Sequence, residues 1–303
     1  MKTQIKILAV LVTVTFNSLF APQAQAVDVV TSLPELGAIA KEVGGGNVSV
    51  YSIAQPNHDY HTVEPRASDV ARIARARLVV RSGLGLDIWM DSLMNAAKNA
   101  RVNPGGDGYV DASTGIPTIE VPKTSITGAS GDVHPDGNPH YYYDPIYAKF
   151  VARNIVRGLI RVDAGHAATY RKNLEDFYSD VDGKMNTWQA RLRPYQGKGV
   201  VTYHKNYNYF LRRFGLYQYG TLEARPGIPP SASHVSNLIK SMQKDKIRAV
   251  LIESIYPRRW PDFVKRQTNI DYVVAPVSVN NLNQGSYLNL IDRLVNATAE
   301  AFK

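Results

Sequence analysis

One long amphipathic helix is predicted near the middle of the chain, and it constrains the fold more than any other feature. Its apolar positions are Ala167, Tyr170, Leu174, Phe177, Val181, Met185, Trp188 and Leu192. They recur at intervals of three or four residues, which places them on one face of a helix. We expect Asp163 to be its N-cap. About 29 residues at 1.5 Å each give a length of roughly 43 Å, so this helix can run along two domains.

Short strands alternate with helices on both sides of this helix. In the first half, strands are predicted at 28–32, 48–53 and 78–82, and helices at 34–43, 66–77, 86–100 and 145–161. In the second half, strands are predicted at 199–203, 248–253 and 271–279, and helices at 207–214, 230–245, 260–268 and from about 286. Such alternation is typical of parallel βαβ units. We therefore expect an α/β fold with two Rossmann-like lobes, each with a parallel central sheet, joined by the long helix.

The segment 103–138 has a different composition from the rest of the first half. It is rich in Gly, Pro, Ser, Thr and Asp, which is typical of a loop. We expect one short strand in it, near Ile119.

The amino-terminal segment has the three parts of a secretory signal peptide. Lys2 and Lys6 form a basic start, residues 7–20 are mostly apolar, and Ala24-Gln25-Ala26 gives an A-x-A cleavage pattern. A membrane anchor is the alternative, but this stretch is too short and too interrupted to cross a hydrocarbon core of about 30 Å. We expect cleavage after Ala26 and a periplasmic location for a mature chain that starts at Val27.

Charge and cysteine content exclude several classes of protein. With no cysteine, the chain can form no disulfide framework, iron–sulfur centre or thiolate zinc site, and it has no Cys nucleophile. The formal charge is +9, and two of its positive charges come from lysines of the predicted signal peptide. Lysine and arginine are scattered without a long basic run, so we expect no nucleic-acid partner.

Three of the seven histidines stand at comparable places in the predicted fold. His61 follows the strand at 48–53, His140 precedes the helix at 145–161, and His204 directly follows the strand at 199–203. Ligands of parallel α/β sheets bind beyond the carboxyl ends of the strands. These three side chains can therefore meet in the cleft between the two lobes.

Five sequence blocks resemble one known family in the order in which that family has them. They are HTVEPRASD at 61–69, NPHYYYDP at 138–145, the helix at 163–188, YH at 203–204 followed by YF and FGL up to 216, and Glu223 with PGIPPS at 226–231. The chain resembles the periplasmic zinc- and manganese-binding proteins of ABC importers, called cluster A-I or TroA-like solute-binding proteins. The resemblance covers essentially the whole chain after the leader.

The resemblance implies a domain organisation and three metal ligands. It implies an N-terminal lobe at 27–162, a rigid connecting helix at 163–192 and a C-terminal lobe at 193–303. It gives the role of metal ligand to His61, His140 and His204. Neutral imidazole suits zinc, which takes four ligands at about 2.0–2.2 Å for N and O donors.

The fourth ligand is where this sequence departs from the family. The family places an aspartate near the end of its last strand, but the matching residues 277–282 contain no carboxylate. We expect Glu253, at the end of the strand at 248–253, to take its place. Its alternative role is a cap or a hydrogen-bond partner for Ser254 and Tyr256. Asn280 or a water molecule could complete the site instead, and Asp59, close to His61, is a weaker candidate.

The remaining histidines are given structural roles. We expect His58, His166 and His234 to be exposed or structural residues. His134 lies in the Gly- and Asp-rich loop, where it is at most a transient capture ligand.

The function expected from these features is metal binding and delivery. The chain would capture a divalent ion, Zn²⁺ in preference to Mn²⁺, because manganese prefers more carboxylate oxygen. It would deliver the ion as a monomer to an inner-membrane ABC permease, and its affinity would fall below about pH 6 as histidines protonate.

Two alternative functions belong to other classes of protein. A zinc hydrolase with Glu253 as general base is disfavoured because no H-E-x-x-H or H-x-H motif is present. A surface adhesin is the other alternative. We expect no enzymatic activity.

Overall fold

The computed structural model describes residues 26–124 and 131–303. The predicted signal peptide, apart from Ala26, lies outside the described residues. The described chain forms two α/β lobes, each with a parallel four-stranded sheet. In the described part, no helix is long and apolar enough to cross a membrane.

The first lobe is built on strands in the order β2-β1-β3-β4. The strands are β1 (Val27–Thr31), β2 (Val48–Ser52), β3 (Leu78–Arg81) and β4 (Tyr109–Asp111). The helices are α1 (Pro34–Gly44), α2 (Ala67–Arg75), α3 (Met90–Ala97) and α4 (Pro145–Val162). Every residue of β3 is buried, as expected of a central parallel strand with both faces covered.

The second lobe repeats the arrangement in the order β6-β5-β7-β8. Its strands are β5 (Gly199–Thr202), β6 (Tyr217–Thr221), β7 (Ala249–Glu253) and β8 (Val273–Ala275). Its helices are α6 (Asn208–Arg213), α7 (Ala232–Lys244), α8 (Arg259–Thr268) and α9 (Ser286–Glu300). The central strands are β1 and β3 in the first lobe and β5 and β7 in the second. Each of them has two parallel neighbours.

The long helix α5 (Ala167–Leu192) confirms the amphipathic pattern, and seven of its eight predicted apolar positions are buried. It begins later than predicted, because Asp163 precedes a short 3-10 helix and is not the N-cap of α5. The Asp163 carboxylate instead accepts hydrogen bonds from the Tyr170 hydroxyl and from His166 Nδ1.

Helix α5 is bonded to both lobes. Near its start, the Asn173 amide donates to the carbonyl of Val43 in α1, at 3.1 Å. Near its end, Lys184 Nζ and Trp188 Nε1 each donate to the carboxylate of Asp292 in α9, at 2.7 Å. The helix therefore connects the first lobe to the second through side-chain bonds as well as through the chain.

Two strands depart from the sequence-based expectation. β4 lies at Tyr109–Asp111, whereas the strand expected near Ile119 does not form, since Ile119 is outside any strand. β6 was not predicted, because it is an edge strand with an exposed or half-buried side chain at every position and a glycine inside it. Neither strand carries the run of buried apolar residues that marks the central strands.

Candidate metal centre

Three histidines from the two lobes converge at one point. His61 lies in a 3-10 turn (Tyr60–Thr62) after β2, His140 precedes the turn that leads into α4, and His204 follows β5. One nitrogen of each lies within 4.8 Å of the others. Their ring centroids are 5.2 to 5.4 Å apart in all three pairs. This three-histidine group has the size and shape needed to surround one small cation.

A local backbone turn orients each histidine of the first lobe. Asp59 Oδ1 accepts from the backbone N–H of His61 at 3.0 Å and lies 2.8 Å from its Nδ1. Asn138 Oδ1 plays the same part for His140, with both distances at 2.9 Å. Each acceptor therefore holds one ring through Nδ1 and leaves Nε2 free. His61 Nε2 is buried and has no hydrogen-bond partner.

His204 is oriented by a more distant carboxylate. Its Nδ1 lies 2.8 Å from Glu223 Oε2, and both side chains are buried. Glu223 also accepts from the backbone N–H of Gly227 at 3.2 Å. A carboxylate on the far nitrogen of a histidine fixes its tautomer and raises its strength as a ligand. The two acidic partners, Asp59 and Glu223, thus prepare His61 and His204 to present Nε2.

Glu253 is placed behind His204 and does not join the three-histidine group. It ends β7, is fully buried, and accepts backbone N–H bonds from Tyr203 at 2.9 Å and His204 at 3.0 Å, one on each oxygen. Of the expected partners, the N–H of Tyr256 donates to the backbone carbonyl of Glu253 at 3.2 Å, whereas Ser254 Oγ is buried without a hydrogen-bond partner. Burial raises the pKa of Glu253 to about 8. The geometry gives it the role of holding the chain where β5 ends.

The other two candidates for a fourth ligand, Asn280 and Asp59, have different surroundings. Asn280 is exposed to solvent, whereas the preceding Val277, Ser278 and Val279 are buried. Asp59 uses Oδ1 on the Nδ1 side of His61, as described above. Burial acts to raise the pKa of Asp59, but its hydrogen bonds with His61 and the charge of that ring lower it overall.

A buried carboxylate that the sequence did not single out lies between the lobes. Glu35 Oε1, from α1, is 3.0 Å from the Tyr60 hydroxyl and accepts from the backbone N–H of Val279 at 3.2 Å. The Tyr60 hydroxyl also donates to Ser278 Oγ at 2.9 Å. Burial raises the pKa of Glu35 to about 7. Its position next to the turn that carries His61 depends on a contact between distant parts of the chain, so no local signal marks it.

His134 is also closer to the site than its loop composition indicated. Its ring centroid is 5.3 Å from that of His61. It lines a small pocket together with His140 and His204. The sequence predicted at most a transient capture role for His134, because the composition of its loop gives no sign of these neighbours.

The donor set fits a borderline divalent cation. Imidazole nitrogen is a common ligand of zinc, nickel, copper and iron, whereas manganese prefers sites richer in oxygen. A buried imidazole nitrogen with no hydrogen-bond partner costs free energy unless a ligand satisfies it. His61 Nε2 is such an atom, and His61 belongs to the three-histidine group.

Similarity to known proteins extends over almost the whole chain. The model of the family described as zinc-uptake complex component A periplasmic matches residues 29–301. The iron-binding protein YfeA of Yersinia pestis is 25% identical over 289 residues, which cover 92% of this chain and 87% of that protein.

Solved structures show the same fold. A crystal structure of ZnuA has a TM-score of 0.74 at 22% identity and covers 90% of this chain and 100% of its own. FpvC from Pseudomonas aeruginosa, solved with Mn²⁺, has a TM-score of 0.77 at 21% identity and covers 91% and 98% of the two chains. The predicted family and fold class are therefore confirmed. The chain belongs to the family of zinc-uptake complex component A periplasmic proteins, the metal-binding components of ABC importers, and not to a family of enzymes.

Proposed function

We propose that this chain captures one divalent transition-metal ion between its lobes, zinc in preference to manganese or iron, and delivers it to an inner-membrane ABC permease. His61, His140 and His204 are the proposed ligands. The observation that carries the proposal is the convergence of these rings with their Nδ1 atoms already bonded, which leaves three Nε2 atoms for one ion.

The preference for zinc is supported by the donor atoms and not by the relatives. Three imidazoles form a nitrogen-rich site that suits Zn²⁺ better than Mn²⁺. The relatives are associated with different metals, since YfeA is called iron-binding and FpvC was solved with Mn²⁺.

Capture and release follow from where the ligands lie in the fold. His61 and His140 belong to the first lobe and His204 to the second, so a bound ion cross-links the lobes. Release would then require His204 to separate from the other two rings. For Glu253, we propose a positioning role, in place of the sequence-based prediction that it binds the ion.

Export to the periplasm and cleavage after Ala26 belong to the same proposal. The family to which the chain belongs is described as periplasmic, which supports this location. Amino-terminal sequencing of the protein recovered from the periplasmic fraction would test it. A sequence starting at Val27 is expected, and retention in the cytoplasm would contradict it.

Chelator competition on the purified protein tests the proposed ligands. His61→Ala and His204→Ala should weaken zinc binding by more than about 100-fold, since even residues that only orient ligands contribute about 10- to 100-fold. His166→Ala is the matched control, because its ring bonds to Asp163 at the start of the long helix. Wild-type affinity in His61→Ala would refute the site.

Competition between metals and a deletion strain test the finer statements. Zinc should displace manganese and iron from the wild-type protein. The deletion strain should fail to grow when zinc is scarce. Loss of surface attachment with intact metal uptake would instead favour the adhesin alternative.

A further inference from the structure

We infer that His134 supplies the fourth ligand of the metal centre, so that four imidazole nitrogens and no carboxylate hold the ion. The inference rests on the proposed function, because it concerns the same site. It replaces the missing aspartate by a residue from a different part of the chain.

The first observation is the position of the His134 ring. Its centroid is 5.3 Å from that of His61, a separation within the 5.2 to 5.4 Å that relates the rings of the three-histidine group. His134 shares a pocket wall with His140 and His204. The ring therefore stands beside the three-histidine group, in a half-buried position.

The second observation concerns its two nitrogen atoms. His134 Nε2 is buried and has no hydrogen-bond partner. The other side of the ring faces the backbone of Gly85, with which His134 forms a hydrogen bond. Gly85 has a φ of +76°, and a Cβ there would lie 3.3 Å from His134 Nδ1. His134 thus repeats the pattern of His61, with one side of the ring held by the protein and a buried Nε2 without a partner.

The third observation concerns Glu253 and Asn280, two of the oxygen ligands considered for this site. Both oxygens of Glu253 accept backbone hydrogen bonds, and Asn280 is exposed. Among the described residues, the group of nitrogens within 4.8 Å of one another contains neither a carboxylate nor His134. Coordination by His134 therefore requires its ring to move towards the other three when the ion binds.

The backbone that carries His134 contacts the second lobe. The N–H of Asp132 donates to the carbonyl of Pro226 at 2.8 Å, and Gly131 packs closely against the same carbonyl. Pro226 follows Glu223, which orients His204. Movement of His134 towards the ion would thus be coupled to the segment that positions His204.

A four-imidazole site has a chemical consequence for the choice of metal. Four neutral ligands leave the full +2 charge of the ion to be balanced by Asp59 and Glu223, which contact the rings and not the ion. Imidazole nitrogen suits both Zn²⁺ and Cu²⁺, but a tetrahedral arrangement of four ligands favours Zn²⁺, because Cu²⁺ prefers tetragonal geometry. Such a site disfavours Mn²⁺, for which carboxylate oxygen is the better ligand.

X-ray absorption at the zinc edge of the full mature protein tests the inference directly. The wild-type protein should show four imidazoles on zinc, and His134→Ala should show three imidazoles and an oxygen atom. His134→Ala should also bind zinc about 10- to 100-fold more weakly, the range seen when a supporting group of a metal site is lost. His58→Ala, an exposed histidine in the first lobe, is the matched control and should keep four imidazoles.

The outcomes separate this inference from the proposed function. If His61→Ala loses zinc while the wild-type protein shows three imidazoles and one oxygen, the site stands and His134 is not a ligand. If His61→Ala keeps wild-type affinity, the proposed site itself fails. His134→Gln and thermal unfolding of the metal-free variants guard against a folding defect. If zinc in His134→Gln still has four imidazole ligands, the inference is overturned.

Discussion

Glu253, at the end of β7, accepts a hydrogen bond of 3.0 Å from the backbone N–H of His204, at the end of β5. Its second oxygen accepts from the N–H of Tyr203. The carboxylate therefore holds the backbone at the point where His204 leaves the sheet. A residue at the carboxyl end of a strand, where a ligand is expected, can instead bind the neighbouring backbone.

The first prediction concerns Glu253→Gln. The glutamine oxygen can replace one acceptor, but its NH₂ group faces the other backbone N–H. Above pH 8, where Glu253 is ionised, we expect the free energy of unfolding of the metal-free protein to fall by about 1–3 kcal/mol, the cost of a buried donor without a partner. Urea unfolding measures it, with the exposed Glu300→Gln as control. A loss of zinc affinity beyond about 100-fold with unchanged stability would show that Glu253 is a ligand.

The second prediction concerns Glu223→Gln. A glutamine can still accept from His204 Nδ1, but it no longer carries the charge that strengthens the imidazole as a ligand. Zinc affinity should fall by about 10- to 100-fold. Chelator competition measures it, and Glu175→Gln on the exposed face of α5 is the control. Equal affinity of wild type and Glu223→Gln would mean that the Glu223 contact has no bearing on the metal.

The third prediction concerns Trp188, which is 1% exposed and donates to Asp292. Trp188→Ala should lower the free energy of unfolding by about 3–5 kcal/mol, because it leaves a large cavity between α5 and the second lobe. Trp188→Phe keeps most of the packing and loses the hydrogen bond, so its cost should be about 1 kcal/mol. Gln189→Ala, on the exposed face, should change stability little. Equal effects of all three variants in thermal unfolding would contradict the described packing of α5.

The fourth prediction concerns pH and Glu35. Its pKa is about 7 when folded and near 4.5 when exposed, so the unfolded chain releases the proton first as pH rises. Stability from this group is therefore present below pH 4.5 and is lost as pH rises towards 7, by about 3 kcal/mol. The Tyr60 hydroxyl faces the carboxylate and titrates far above this range.

Glu35→Gln removes this titration and provides the measurement. The stability of the metal-free wild-type protein relative to Glu35→Gln should decrease steadily between pH 4.5 and 7. A difference that is constant over this range would show that Glu35 has the same pKa in the folded and unfolded chains.

The fold could be predicted largely because its signals are local. The apolar runs of the central strands and the spacing along α5 depend on neighbouring residues, and the structure has them within a few residues of the predicted bounds. The strands β4 and β6 lack such runs. Their residues become strands because a neighbouring strand, β3 or β5, offers hydrogen bonds.

The site could be predicted only in part for a similar reason. His61, His140 and His204 each follow or precede an element that the sequence reveals, so their convergence follows from the topology of parallel sheets. The ring of His134 and the carboxylate of Glu35 reach the site through contacts between distant segments. Nothing in the residues beside them in the chain marks those contacts.

The attachment of α5 at both ends has a consequence for the lifetime of the bound state. Because Asn173 is bonded to the first lobe and Trp188 to the second, separation of the lobes would strain the helix or break one of these hydrogen bonds. The free energy of that change adds to the barrier for spontaneous dissociation. We therefore expect a bound ion to leave slowly in free solution and faster when the binding free energy of docking to the permease offsets this cost.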